Sequence, residues 1–86
     1  MSKCFRLLVM NAGGVLLDGP AEYCRIPTAD GSVGILANHA PMLCAMREGD
    51  SLCRMESGEE KTLRHSAGVA DVRDNFVTIL ADRAEF

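Results

Sequence analysis

Two histidines and four cysteines are the side chains of this 86-residue chain best able to act as bases, nucleophiles or metal ligands. His39 and His65 have ordinary pKa values near neutrality, and either one beside a cysteine would make a nucleophile and its base. Neither has a recognisable orienting partner in the sequence. His39 therefore reads as a loop imidazole that hydrogen-bonds its own turn or touches a partner, and His65 as an exposed residue at a strand end. Cys4, Cys24, Cys44 and Cys53 are irregularly spaced, with no C-x-x-C pair and no histidine at a zinc-ligand interval. They read as buried, reduced thiols that pack as small hydrophobes. No metal, cofactor or catalytic residue is assigned.

The P-loop, G-x-G-x-x-G, H-E-x-x-H and G-x-S-x-G signatures are absent, so phosphate, dinucleotide, zinc and acyl-transfer chemistry lack their usual motifs. Gly31-Ser32-Val33-Gly34 is a bare G-x-x-G. A nucleic-acid clamp of that form sits between helices beside basic residues, a context missing here. Nine basic against twelve acidic residues give a net charge of -3, with no Lys/Arg cluster, which sets nucleic acid aside as a partner.

What residues 31–41 do specify is backbone shape. Glycine admits positive φ without steric cost, Asn38 tolerates it, and Pro41 fixes φ and pushes Ala40 toward extended geometry. The run Gly-Ser-Val-Gly-Ile-Leu-Ala-Asn-His-Ala-Pro is expected to be a loop of set shape, and such loops on rigid scaffolds are where partners are met.

The elements that would position this loop read as short strands. The length suits one domain, residues 1–86, and 48% apolar against 24% charged residues is a globular composition. Phe5, Leu7 and Val9 alternate with Arg6, Leu8 and Met10, a strand with one apolar face and a second face only partly polar. Asp18-Gly19-Pro20 reads as a turn closing a short apolar piece, before alternation resumes over residues 21–26. Further strands are expected at 42–46, 51–55, 61–65, 69–73 and 76–80. Val69 and Asp71 should face one way and Ala70 and Val72 the other, and Val77 and Ile79 should oppose Phe76, Thr78 and Leu80. Short strands at this spacing with no long helical pattern predict an all-β sandwich or barrel. No apolar run reaches the roughly 18 residues that span a bilayer, and the N-terminal stretch is too short for a signal peptide, so a cytoplasmic location is expected.

Taken in order, Leu7 and Val9, Asp18-Gly19, the central run from Asp30 through Gly31-Ser32-Val33-Gly34-Ile35-Leu36-Ala37-Asn38-His39-Ala40-Pro41 to Met42-Leu43, Ser66-Ala67-Gly68-Val69-Ala70-Asp71-Val72, and Asn75-Phe76-Val77-Thr78-Ile79-Leu80-Ala81-Asp82 resemble the epsilon subunit of F-type ATP synthases. The resemblance covers essentially the whole chain. It implies the family's N-terminal ten-stranded β-sandwich of two five-stranded sheets, a non-catalytic rotor piece without cofactors. Its implied partners are the gamma subunit and the c-ring, and its implied location is peripheral, on the cytoplasmic face of the plasma or another energy-transducing membrane. Asp30, Gly31, Ser32, Val33, Gly34, Asn38, His39, Ala40 and Pro41 are the implied interface residues. Leu8 and Met10, apolar on a face that should be polar, are added as candidates for it.

The chain departs from the family's pattern in four places. The sandwich is expected without the helical hairpin that follows it in the family, a fragment and a hairpinless subunit fitting equally well, and residues 81–86 read as at most the entrance to it. Asn38 stands where glycine is common before the histidine, a substitution that keeps a positive φ accessible. Ser32 occupies a position often acidic and near the c-ring, with Asp30 able to supply the charge instead. Ala67 replaces a familiar glycine. The competing classes are a stand-alone adaptor and a small-molecule or enzymatic domain using His39 with a cysteine.

Overall fold

The computed structural model describes residues 3–86, and among them every regular element is a strand. The strands are β1 (Phe5–Asn11), β2 (Gly14–Thr28), β3 (Gly31–Leu36), β4 (Met42–Met46), β5 (Gly49–Met55), β6 (Glu60–His65), β7 (Gly68–Arg73), β8 (Phe76–Ala81) and β9 (Ala84–Glu85). Hydrogen bonding runs continuously in the order β4-β7-β8-β1-β2-β5-β6-β9, with β3 also paired to β2. All pairs are antiparallel except β1 with β8.

The count is nine strands, where the family resemblance implies ten, and the difference lies in β2. Asp18-Gly19-Pro20 does not break the chain. These residues pair with Leu8, Leu7 and Arg6 of β1, and that pairing outweighs their local turn chemistry. From residue 14 to Ala21, β2 pairs with β1. Beyond an irregularity between Ala21 and Tyr23 it pairs with β3 and β5. A bulge of this kind bends a strand and lets it pass from one sheet to the other. Counted as two halves, β2 gives five strands to each layer, one of β4, β7, β8, β1 and β2, the other of β3, β2, β5, β6 and β9.

The two layers enclose one core. Phe5, Leu7, Val9, Ala70, Val72, Val77 and Ile79 meet Ala21, Cys24, Ile26, Ile35, Cys53 and Leu63 from the other layer, all buried. The alternations expected in β1, β7 and β8 are the ones observed. Each fully buried Leu, Ile or Val contributes about 1.5–3 kcal/mol. Asn11 Nδ2 donates to the Ala84 carbonyl at 3.0 Å, tying the β1–β2 turn to β9 across the end of the sandwich. Residues 84–85 are thus a strand and not the entrance to a helix, because β6 offers them an edge: Arg64 pairs with Glu85 and His65 with Ala84.

Asp74 and Asn75 join β7 to β8 with φ of 51° and 59°. Two consecutive left-handed residues make the turn whose twist suits a hairpin, and Asp and Asn tolerate it.

Candidate partner-docking surface

Residues 31–41 are half strand and half turn. Gly31–Leu36 is β3, paired only to β2, so the expected loop shrinks to residues 37–41. A strand of six residues is roughly 20 Å long. It separates Asp30, Gly31 and Ser32 from Asn38, His39, Ala40 and Pro41, with Val33 and Gly34 between the two groups.

Each group is fixed at its own end. The Arg47 side chain donates to the carbonyls of Thr28 at 3.1 Å and Gly31 at 3.4 Å, clamping the β2–β3 hairpin on which Asp30 and Ser32 are exposed. Asn38 takes φ of 65°, the positive value its position called for. Its N–H donates to Asn75 Oδ1 at 2.7 Å, and Asn75 Nδ2 donates to the Cys4 carbonyl at 2.7 Å. His39 Nδ1–H donates to the Ala40 carbonyl at 2.7 Å, leaving Nε2 as the ring's other polar atom. Leu36 and Leu43, 61% and 70% exposed, bracket this turn as an apolar shoulder. Val33 faces inward against the core, and the Tyr23 ring lies over Gly34. Ala67, like most of the chain, has no positive φ, so the loss of a glycine there strains nothing.

The two outer faces of the sandwich differ in kind. On one, strand register aligns Ala45, Val69, Leu80, Met10 and Val15 in a row across all five strands. Val15 is 61% exposed, Leu80 47% and Val69 42%. Met10 is half-buried between Leu80 and Val15, and Leu16 is exposed beside them. The next row, Leu43, Asp71, Thr78, Leu8 and Asp18, is mixed. The third, Arg73, Phe76, Arg6 and Pro20, carries two cations: Arg6 stacks over Phe76 at 4.7 Å and holds Asp18 of the second row at 2.8 Å, and this hydrogen bond lowers the Asp18 pKa. On the opposite face Arg54 lies over Tyr23 at 5.5 Å and bonds Glu60 at 3.0 Å, so the Arg54 charge is already partnered.

Both outer faces carry ion pairs, but the continuous apolar row on the first has no counterpart on the second, and that makes the first the candidate docking face. Leu8 and Met10 both belong to it. Sequence reasoning missed Val15, Leu16, Ala45, Val69 and Leu80. Their signal was apolar residues at the solvent-facing positions of β2, β4, β7 and β8, legible only once register lines them up.

His65 departs from expectation: it is 5% exposed. Its Nδ1–H donates to the Ser66 carbonyl at 2.8 Å, so Nε2 accepts from the Ser51 hydroxyl at 2.7 Å. The pair has the composition of a nucleophile and base, yet Ser51 is wholly buried and no substrate can reach it. Its role is to satisfy a buried ring nitrogen. Ser51→Ala is expected to destabilise the fold by about 1–3 kcal/mol, the cost of an orphaned buried acceptor, read as a lower urea midpoint with unchanged slope.

The partly exposed cysteines do not support a nucleophile. Cys24 and Cys53 are buried, and Cys4 and Cys44 half-buried. The Cys4 thiol is pushed up by its hydrogen bond to Glu56, and the Cys44 thiol by burial, away from the reactive thiolate. A groove of about 640 Å³ lies beside His65, but Arg64 and Arg83 share it with Glu48, Asp50, Asp82 and Glu85, so it carries no field of one sign. Among the described residues no cluster of His, Cys, Asp and Glu is placed to hold a metal, and no helix is long and apolar enough to cross a membrane.

Over residues 4–86 the chain matches the family described as ATP synthase, Delta/Epsilon chain, beta-sandwich domain. It is 44% identical over 71 residues to the ATP synthase epsilon chain of Symbiobacterium thermophilum, covering 83% of this chain and 50% of that one. To the ATP synthase epsilon chain of Desulfitobacterium hafniense it is 38% identical over 85 residues, covering 99% and 64%. The chain thus spans about half to two-thirds of the length of these relatives. Its fold is shared with a chain of Euglena gracilis mitochondrial ATP synthase, solved as OSCP/F1/c-ring, at a TM-score of 0.92 and 24% identity, covering 99% of this chain and 54% of that one. A chain of the Tetrahymena thermophila mitochondrial ATP synthase central stalk/c-ring superposes at 0.81 with 15% identity, covering 93% and 64%.

Proposed function

Because the chain belongs to the ATP synthase delta/epsilon β-sandwich family, we propose that it is a non-catalytic central-stalk subunit of a proton- or sodium-translocating F-type ATP synthase. In this reading it couples the gamma subunit to the c-ring and needs no cofactor of its own. The observation that carries it is the contrast between the two outer faces. The row Ala45, Val69, Leu80, Met10 and Val15 offers gamma an apolar surface, and Leu8 extends it. The hairpin bearing Asp30, Gly31 and Ser32 is the contact to the c-ring, with Asp30 supplying the charge that Ser32 lacks.

A coupling piece must transmit torque without deforming, and a hydrogen-bonded path through every strand, closed around one core, suits that task. The assembly would sit peripherally on the cytoplasmic face of the plasma or another energy-transducing membrane. Co-purification with gamma, or with the gamma and c-ring subcomplex, tests the reading; no binding at micromolar concentration overturns it.

The turn of Asn38, His39, Ala40 and Pro41 belongs to the same interface, supported by the exposed leucines on either side of it. His39→Glu is expected to weaken assembly by roughly tenfold to a hundredfold, or about 1.4–2.7 kcal/mol, with an unchanged circular dichroism spectrum. Loss of folding in that variant would instead assign His39 to holding its turn.

A further inference from the structure

Cys24 and Cys53 are 29 positions apart in sequence, yet β2 and β5 set them directly opposite each other, with Sγ atoms 3.7 Å apart inside the core. Directly opposed residues of an antiparallel pair have Cα atoms about 4.5–5.5 Å apart, within the roughly 4.4–6.8 Å that a disulfide spans. Rotation of the two side chains brings the sulfurs toward the bonding distance of about 2.05 Å without moving either strand far. Neither thiol takes part in the docking surface.

We propose that Cys24 and Cys53 form an oxidation site, a latent cross-strand disulfide closed by a peroxide small enough to enter the core. The Cys24 thiol donates toward Cys53. That hydrogen bond and burial raise the Cys24 pKa, while the same bond and the nearby Lys61 ammonium draw Cys53 down against its own burial. In the proposed step Cys53 is the attacking sulfur, with Cys24 directly opposite it to close the bond. Its thiolate sulfur bonds one peroxide oxygen, the O–O bond breaks, and the released hydroxide takes the proton Cys53 gave up, leaving a sulfenic acid and one water. The Cys24 sulfur then attacks the Cys53 sulfur and displaces hydroxide, which leaves as a second water with the Cys24 proton. Two thiols and one peroxide become one disulfide and two waters.

The bond pins β2 to β5 and closes a long loop in the unfolded chain, so oxidation stabilises the sandwich. The test uses the full chain with Cys4→Ser and Cys44→Ser, which removes the half-buried thiols, treated with hydrogen peroxide. Expected are the loss of two hydrogen atoms from the intact mass, a peptide linking Cys24 to Cys53, and a Tm raised by roughly 10 °C that thiol reductant reverses. Two free thiols after treatment, or sulfinic acid in place of the linked peptide, overturn the proposal. Adding Cys24→Ser should abolish the gain in Tm. If that variant does not fold, the linked peptide in the parent decides alone.

Discussion

Replacing Leu80 by glutamate is expected to leave the sandwich folded and to weaken binding to gamma by at least roughly a hundredfold, about 2.7 kcal/mol. Leu80 lies at the middle of the apolar row, with Val69 on one side and Met10 on the other, and it is 47% exposed. Its side chain points away from the core, so the fold loses only cross-strand contacts worth about 0.2–1 kcal/mol each. In an interface the glutamate would be stripped of water with no cation in the row to meet it, and an unpaired buried charge costs several kcal/mol. Thr62→Glu is the matching control, because Thr62 is exposed on β6, where the outer face belongs to the other layer. Titration calorimetry with gamma should find the control near the parent affinity. Equal losses for the two variants would mean that the docking face is misassigned.

A single methyl at Gly68 is expected to have the largest effect on stability. Gly68 pairs with Ala81 at the start of β7, and a Cβ built on it would overlap the Leu80 carbonyl and crowd Ala81. Its φ is not in the left-handed region, so the constraint is space and not conformational freedom. The Leu80 carbonyl oxygen and Ala81 Cα in its way are backbone, and relief requires β7 and β8 to part at one end. Gly68→Ala should therefore cost about 2–4 kcal/mol and lower Tm by roughly 10–25 °C. Gly34→Ala provides the contrast, since its added methyl meets the Tyr23 hydroxyl at 3.1 Å, the end of a side chain that can shift. A Gly68→Ala protein melting within a few degrees of its parent would show that the strands yield more easily than their register implies.

The parts of this fold legible in the sequence are those where one strand face is buried and the other is not. In β1, β7 and β8 a period of two is then written directly into residue type, and the observed burial follows it. Asp18-Gly19-Pro20 was misleading because turn propensity is local, whereas pairing with β1 is not. The same holds for β3, whose glycines suggested a loop although β2 offers them a partner strand. Buried pairs were out of reach for a related reason. Ser51 pairs in register with Leu63 and meets His65 on the diagonal, two positions along β6, and Cys24 meets Cys53 only because β2 and β5 align as they do. Of the proposed docking face, Leu8 and Met10 were visible as apolar residues at odds with their strand's alternation. Val15, Val69 and Leu80 became a surface only when register put them in one row.

The central claim is that gamma binds the apolar row, and methyl NMR on this chain titrated with unlabelled gamma tests it most directly. The methyls of Met10, Val15, Val69 and Leu80 should shift or broaden on binding, while those of Leu52, outward-facing on β5 in the other layer, keep their positions. No change at micromolar gamma, or changes confined to Leu52 and its neighbours, would contradict the account.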